Sequence, residues 1–212
     1  MKPLPDKYVR ALKVPVFLAC LGPLGWLVWK QTHDLLGANP VEVITRSTGK
    51  WTLVFLLITL GITPVRKLAG VSWLIKYRRM LGLFAFFYGS LHLTTYLWLD
   101  KFFDVQAMLH DIAKRKFITA GMTAWFCMLP LAVTSTTGWI RRMGGKRWQM
   151  LHRLIYLSAT AGVVHFIWLV KADLRRPLIF GSILSLLLLY RVIVWLQARS
   201  RTQASASLAR SA

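Results

Sequence analysis

Long apolar runs, each near the length that crosses a bilayer and separated by short basic segments, leave this chain few ways to fold. A membrane span needs roughly 20 mostly apolar residues, because about 30 Å of hydrocarbon is crossed at about 1.5 Å per residue. Six runs meet that requirement, at about 10–30, 51–67, 80–99, 117–138, 150–170 and 177–197. The second is short, ends at Thr63-Pro64, and reads as tilted or partly interfacial. The fold expected is an all-α, polytopic membrane bundle over residues 1–199, followed by a Ser/Ala/Arg-rich, disordered cytoplasmic tail at 200–212. Many of the 10 tryptophans stand near the ends of the runs, as aromatic residues do at a membrane interface.

Charge sets the orientation. The chain carries 28 Lys and Arg against 7 Asp and Glu. With six spans, 18 of those 28 cations share one side with both termini, and 10 lie on the other. The positive-inside rule then places both termini in the cytoplasm. Six of the seven acids, Asp34, Glu42, Asp100, Asp104, Asp111 and Asp173, fall on the opposite side. In a soluble protein a net charge of +21 would point to nucleic acid. Here no nucleic-acid motif accompanies it, and basic loops beside anionic membrane lipid account for the charge. The two cysteines, Cys20 and Cys127, each sit inside an apolar run and permit no disulfide framework, zinc site or covalent haem attachment. The string before Cys20 is a poor lipobox, and the run continues to Trp29, so residues 14–29 read as a retained span.

Ionisable residues within spans are costly and draw attention as functional candidates. His33 and His110 fall in outward loops and read as solvated. His92 and His165 lie well along spans three and five, which run parallel, so they share one depth toward the outer half. His152 stands near the cytoplasmic start of span five, at the depth of Arg78. The 13 residues from His152 to His165 and the 14 from Arg78 to His92 correspond to about 20 Å and 21 Å of helix rise.

Along span three, Arg78, Gly82, Ala85, Gly89 and His92 form one helix stripe. A ligand-type side chain stands at one end, a cation at the other, and only small residues between. A porphyrin lying between helices needs such relief, and imidazole is a standard haem ligand. Small-residue helix packing is the competing explanation of the glycines. Ligation by both His92 and His165 would leave iron six-coordinate, which suits electron transfer rather than oxygen activation. His152 is a candidate for a second haem or an interfacial histidine. Arg78, Arg79 and Arg153 are candidates for pairing with haem propionates or a flavin phosphate, or for anchoring at the cytoplasmic face. On an ideal helix His152 and His165 would point about 140° apart, so either the helix is distorted near Gly162 or they face different partners. No G-x-G-x-x-G fingerprint is present, so electrons would have to come from a membrane quinol or a separate reductase. Buried histidines serving a transporter as proton relays are an alternative of another class; no Gly/Pro-interrupted pair of spans in matching halves accompanies them.

Several stretches carry a resemblance. They are Gly37-Ala38-Asn39-Pro40-Val41, Thr48-Gly49, Ile62-Thr63-Pro64, Arg78-Arg79-Met80-Leu81-Gly82-Leu83 and Leu91-His92-Leu93-Thr94-Thr95-Tyr96. To these are added Thr134-Ser135-Thr136, Gly145-Lys146-Arg147-Trp148-Gln149, Leu151-His152-Arg153-Leu154-Ile155-Tyr156 and His165. Together they resemble the ferric reductase-like transmembrane family, and within it the haem-binding membrane subunits of bacterial methionine sulfoxide reductase systems. The resemblance implies one or two non-covalent b haems, with His92, His152 and His165 as candidate ligands, and a bound FMN. It implies a periplasmic molybdopterin-containing methionine sulfoxide reductase subunit as partner, with quinone or a cytoplasmic flavin reductase as donor, in a bacterial inner membrane. A stand-alone ferric or quinone reductase is the alternative within the same chemistry. Relatives such as NADPH oxidases carry two histidines on each of two helices; here Arg78 stands where the inner histidine of span three would be.

Overall fold

The computed structural model describes residues 5–170 and 172–211; the side chains of residues 6, 202 and 204–211 lie outside that description. Among the described residues the regular structure is helical, and six helical segments are long and apolar enough to cross a membrane. The first combines α1 (Asp6–Ala11) and α2 (Lys13–Thr32). The others are α3 (Pro40–Ala69), α4 (Arg78–Thr94) with the 3-10 turn Ser72–Tyr77 before it and the π-helical turn Thr95–Asp100 after it, α6 (Lys116–Val133), α9 (Leu154–Leu169) together with α8 (Gly145–Leu151) before it, and α10 (Arg175–Ser211). Short helices occupy the ends: α5 (Val105–Lys114), α7 (Thr137–Met143) and α8 (Gly145–Leu151). The expected disordered tail, 200–212, falls largely on positions whose side chains are outside the description.

The second span is not short. Asn39 caps α3, its side-chain oxygen accepting from the Glu42 N–H at 3.2 Å, and Pro40 takes the first turn, where its missing N–H costs nothing. Gly70, at φ 69°, ends the helix in the left-handed conformation that glycine adopts freely. The 30 residues between cover about 45 Å, more than the hydrocarbon core, so the first turns project beyond it. Pro64 therefore does not terminate the span. A proline leaves the carbonyl four residues earlier without its helical donor, and here that carbonyl, Leu60 O, accepts from Arg191 Nη2 of α10 at 2.7 Å. Pro23 in α2 is accommodated in a related way. The Tyr88 hydroxyl donates to Cys20 O at 2.9 Å and accepts from Leu24 N at 3.1 Å, the two groups an unbroken helix would pair together.

Packing is hierarchical. α3 lies antiparallel against α4, and α6 against α9; the two pairs then meet through α4 with α6 and α3 with α9. Leu56, Leu60, Ala85, Tyr88, Ser158 and Ala159 are essentially inaccessible at this centre. Ser158 Oγ donates to Ala124 O at 2.9 Å across α6–α9, satisfying a hydroxyl that lipid could not. α2 and α10 pack on the outside, and α10 exposes Leu186, Leu189, Val192, Ile193, Trp195 and Leu196, an outward apolar face suited to lipid. Of the outward loops expected at 31–50 and 100–116, residues 40–50 belong to α3 and residues 105–114 to α5. Asp111 of α5 is buried and pairs with Lys101 Nζ at 2.6 Å and Arg115 Nε at 3.3 Å. The hydrogen bond from Lys101 holds the Asp111 carboxyl below its ordinary range, and the same bond raises Lys101.

Candidate functional site

The α3–α4 seam positions the first imidazole. Thr59 meets Gly82 and Thr52 meets Gly89, so each glycine of the stripe receives a threonine methyl from the antiparallel neighbour. Gly89 also faces the flexible end of Met128 from α6. One step further along the same register the sizes reverse. The glycine is now Gly49 on α3, and the large group is His92 on α4; a Cβ on Gly49 would lie 3.0 Å from His92 Cε1. The α6–α9 pair repeats the device, since a Cβ on Gly121 would lie 2.8 Å from His165 Nδ1. Both backbones thus approach the rings closely, which only glycine permits.

Each ring is also oriented by a hydrogen bond. His92 Nδ1 donates to Thr45 O at 2.9 Å, and His165 Nδ1 donates to Phe117 O at 2.6 Å. A carbonyl oxygen can only accept, so both Nδ1 atoms carry the proton, and a neutral ring then has its lone pair on Nε2. This is the arrangement by which outer partners fix metal-ligating imidazoles. The ring centres are 6.0 Å apart with planes at 79°. A metal–imidazole bond is about 2 Å, so two rings on opposite sides of one ion have centres about 6 Å apart. That separation leaves room for one metal ion between the rings, whose other ligands would have to come from elsewhere. Among the described residues no cluster of three or more His, Cys, Asp or Glu exists to supply them. A macrocycle would supply four.

The histidine at the other end is placed differently. His152 caps the C-terminus of α8, and the chain turns at His152-Arg153 before α9 begins. α9 runs unbroken through Gly162, so the helix is interrupted at His152-Arg153 instead, and His152 and His165 face different partners. His152 Nε2 meets Thr134 Oγ1 at 3.2 Å, its ring stacks on Trp148 at 3.8 Å, and Trp148 Nε1 donates to Thr134 O at 2.9 Å. Arg78 acts on His152 electrostatically, in keeping with the shared depth read from the sequence. Arg79 and Arg153 are exposed, as are His33 and His110. Thr45, Gly49, Phe117 and Gly121 were not singled out as site residues from sequence. Thr48-Gly49 did belong to a resembling stretch, whereas nothing in the sequence marked Gly121.

A multi-pass membrane protein with an adjacent, carbonyl-oriented histidine pair between two helix hairpins defines the class. The chain belongs to the family described as ferric reductase like transmembrane component, which matches residues 47–163 and so includes Gly49, Arg78, His92, Gly121 and His152. It is 54% identical to the "Protein-methionine-sulfoxide reductase heme-binding subunit MsrQ" of Herminiimonas arsenicoxydans, over 92% of this chain and 90% of that one. Proteins of the same name from Azospira oryzae and Rhodospirillum rubrum are each 53% identical, over 88% and 87% of this chain and 81% and 88% of theirs.

Proposed function

We propose that this chain is the b-haem electron-transfer subunit of a methionine sulfoxide reductase system. It takes electrons from the quinone pool or a cytoplasmic flavin reductase and delivers them across the inner membrane. The acceptor is a periplasmic molybdopterin subunit, MsrP, which repairs oxidised envelope proteins. The observation that carries the reading is the His92–His165 pair, with both Nδ1 atoms committed to carbonyls and the ring centres 6.0 Å apart. The names of relatives that share about half of its residues across most of the chain support it.

His92 and His165 would hold the iron; Thr45 O and Phe117 O fix their tautomers and strengthen them as donors. Gly89 meets the movable ends of Met128 and Thr52 beside His92 and is the candidate relief for a flat group, whereas Gly82 already receives the Thr59 methyl at an ordinary 3.6 Å, which is helix packing. Haem b, when bound, supplies a one-electron iron couple, and two protein ligands leave no open position for oxygen. His152, with Arg78 opposite, is the candidate for a second haem. Arg78 and Arg153 are candidate partners for propionates or for the phosphate of FMN. Both termini are cytoplasmic, by the excess of Lys and Arg at that end.

Optical spectra, oxidised and dithionite-reduced, with pyridine haemochrome quantification of the purified protein, test this reading. A low-spin b-type spectrum is expected. Correctly folded protein that stays colourless after expression with haem available would overturn it.

A further inference from the structure

Three guanidinium groups gather in the basic half of the bundle, and none of the three has an ion-pair partner among the described residues. Arg78, at the start of α4, lies in the electrostatic field of Arg66 on α3, Arg191 on α10 and Tyr156 on α9. Arg191 is held by two backbone carbonyls, Leu187 O at 2.9 Å and Leu60 O at 2.7 Å, with its guanidinium 5.3 Å from the centre of the Tyr156 ring. Arg66 Nε is buried and has no hydrogen-bond partner. The elements that carry this cluster contain no answering acid: there is no Asp or Glu in α3 beyond Glu42, in α4, in α9 or in α10.

Anchoring at the membrane surface does not explain the arrangement. Anchoring arginines reach outward to water, as the exposed Arg79, Arg141, Arg142 and Arg153 do. Arg191 instead points inward, to the carbonyl that Pro64 leaves open. Like charges brought together away from water repel, and an unpaired guanidinium N–H is costly there. An anion with several acceptor oxygens removes both costs, through charge-assisted hydrogen bonds to planar donors.

We propose that Arg66, Arg78 and Arg191 form a binding site for a phosphate or carboxylate group inside the basic half of the bundle. At Arg78 the inference rests on and deepens the proposed function, and it extends the site to Arg66 and Arg191, which that reading does not use. The same chemistry is presented by the phosphate of FMN, by haem propionates and by an anionic lipid headgroup.

The test uses the full-length protein in nanodiscs and three matched pairs of probes. They are FMN against riboflavin, haem against haem dimethyl ester, and phosphatidylglycerol against phosphatidylcholine, the last read by native mass spectrometry. At least one anionic member should bind roughly tenfold or more tightly than its neutral match, as one or two charge-assisted bonds provide. That preference should fall in Arg66→Gln, Arg78→Gln and Arg191→Lys, and persist in Arg199→Gln, an exposed position on the helix of Arg191. Arg66→Gln is the decisive variant, because the Nε it removes bonds nothing in the folded chain. The pair that discriminates identifies the source. No discrimination in any pair, or discrimination unchanged in all three variants, overturns the site. A colourless protein that still selects phosphatidylglycerol through these arginines would sink the electron-transfer reading and keep this one.

Discussion

The two ends of the bundle each offer a histidine on the α9 side and a facing group on α4, and they treat them in opposite ways. At the outer end, His92 and His165 both engage a carbonyl through Nδ1, both press against a glycine, and both as neutral rings carry the lone pair on Nε2. At the basic end, His152 has its Nε2 against the Thr134 hydroxyl and its face on Trp148, and it lies in the electrostatic field of Arg78. The difference teaches that a histidine's place in a span says less than what its second nitrogen is doing. Under the proposed function the outer pair offers Nε2 as it stands, whereas His152 Nε2 is engaged by Thr134.

The sharpest way to break this contrast is to remove the imidazoles. His92→Ala and His165→Ala should each abolish the low-spin b-haem spectrum of the outer site. His152→Ala should leave that spectrum in place and remove at most a separable part. Equal loss in all three variants would erase the distinction between the ends.

Crowding the rings comes next in size. Gly121→Ala places a Cβ 2.8 Å from the His165 ring, and Gly49→Ala one 3.0 Å from His92. Each should weaken haem retention by roughly 10- to 100-fold, the usual cost of disturbing the groups that orient metal ligands. Gly82→Ala, whose Cβ would meet Thr59 at an ordinary 3.6 Å, should retain haem. Haem titration of the three variants checks the order.

Thr134→Val removes the hydroxyl's bonds to both Pro130 O and His152 Nε2, and should free His152 at a cost of about 2 kcal/mol in stability, the net worth of two hydrogen bonds. Thermal unfolding in detergent would show it, with the outer spectrum unchanged.

The smallest effect is expected from pH at the outer end. The Asp111 carboxyl is depressed by Lys101, so its contribution is present above the ordinary carboxylate range and is lost as pH falls through the depressed value. Lys101 is raised by the same bond, so its contribution is lost only as pH rises beyond the ordinary lysine range. Protection of α5 from hydrogen exchange should therefore be flat around neutrality and fall in strong acid. Asp111→Asn should remove the acid transition while leaving the His152 end untouched.

Hydropathy, charge and residue type determined a good deal by themselves. Six spans, the all-helical class and the shared depth of His92 with His165 follow from run length and rise per residue, because lipid enforces helices wherever apolar runs are long enough. The start of α3 was also written in Asn39-Pro40, but Glu42, Arg46 and Lys50 obscured it for a reading based on apolar runs. Tertiary structure alone decided the rest. Which carbonyl fixes an imidazole, which glycine admits it, and that Arg191 answers the opening left by Pro64 each join residues 43 or more positions apart. Such partners are set by the register in which helices pack, and no local period in the chain records that register.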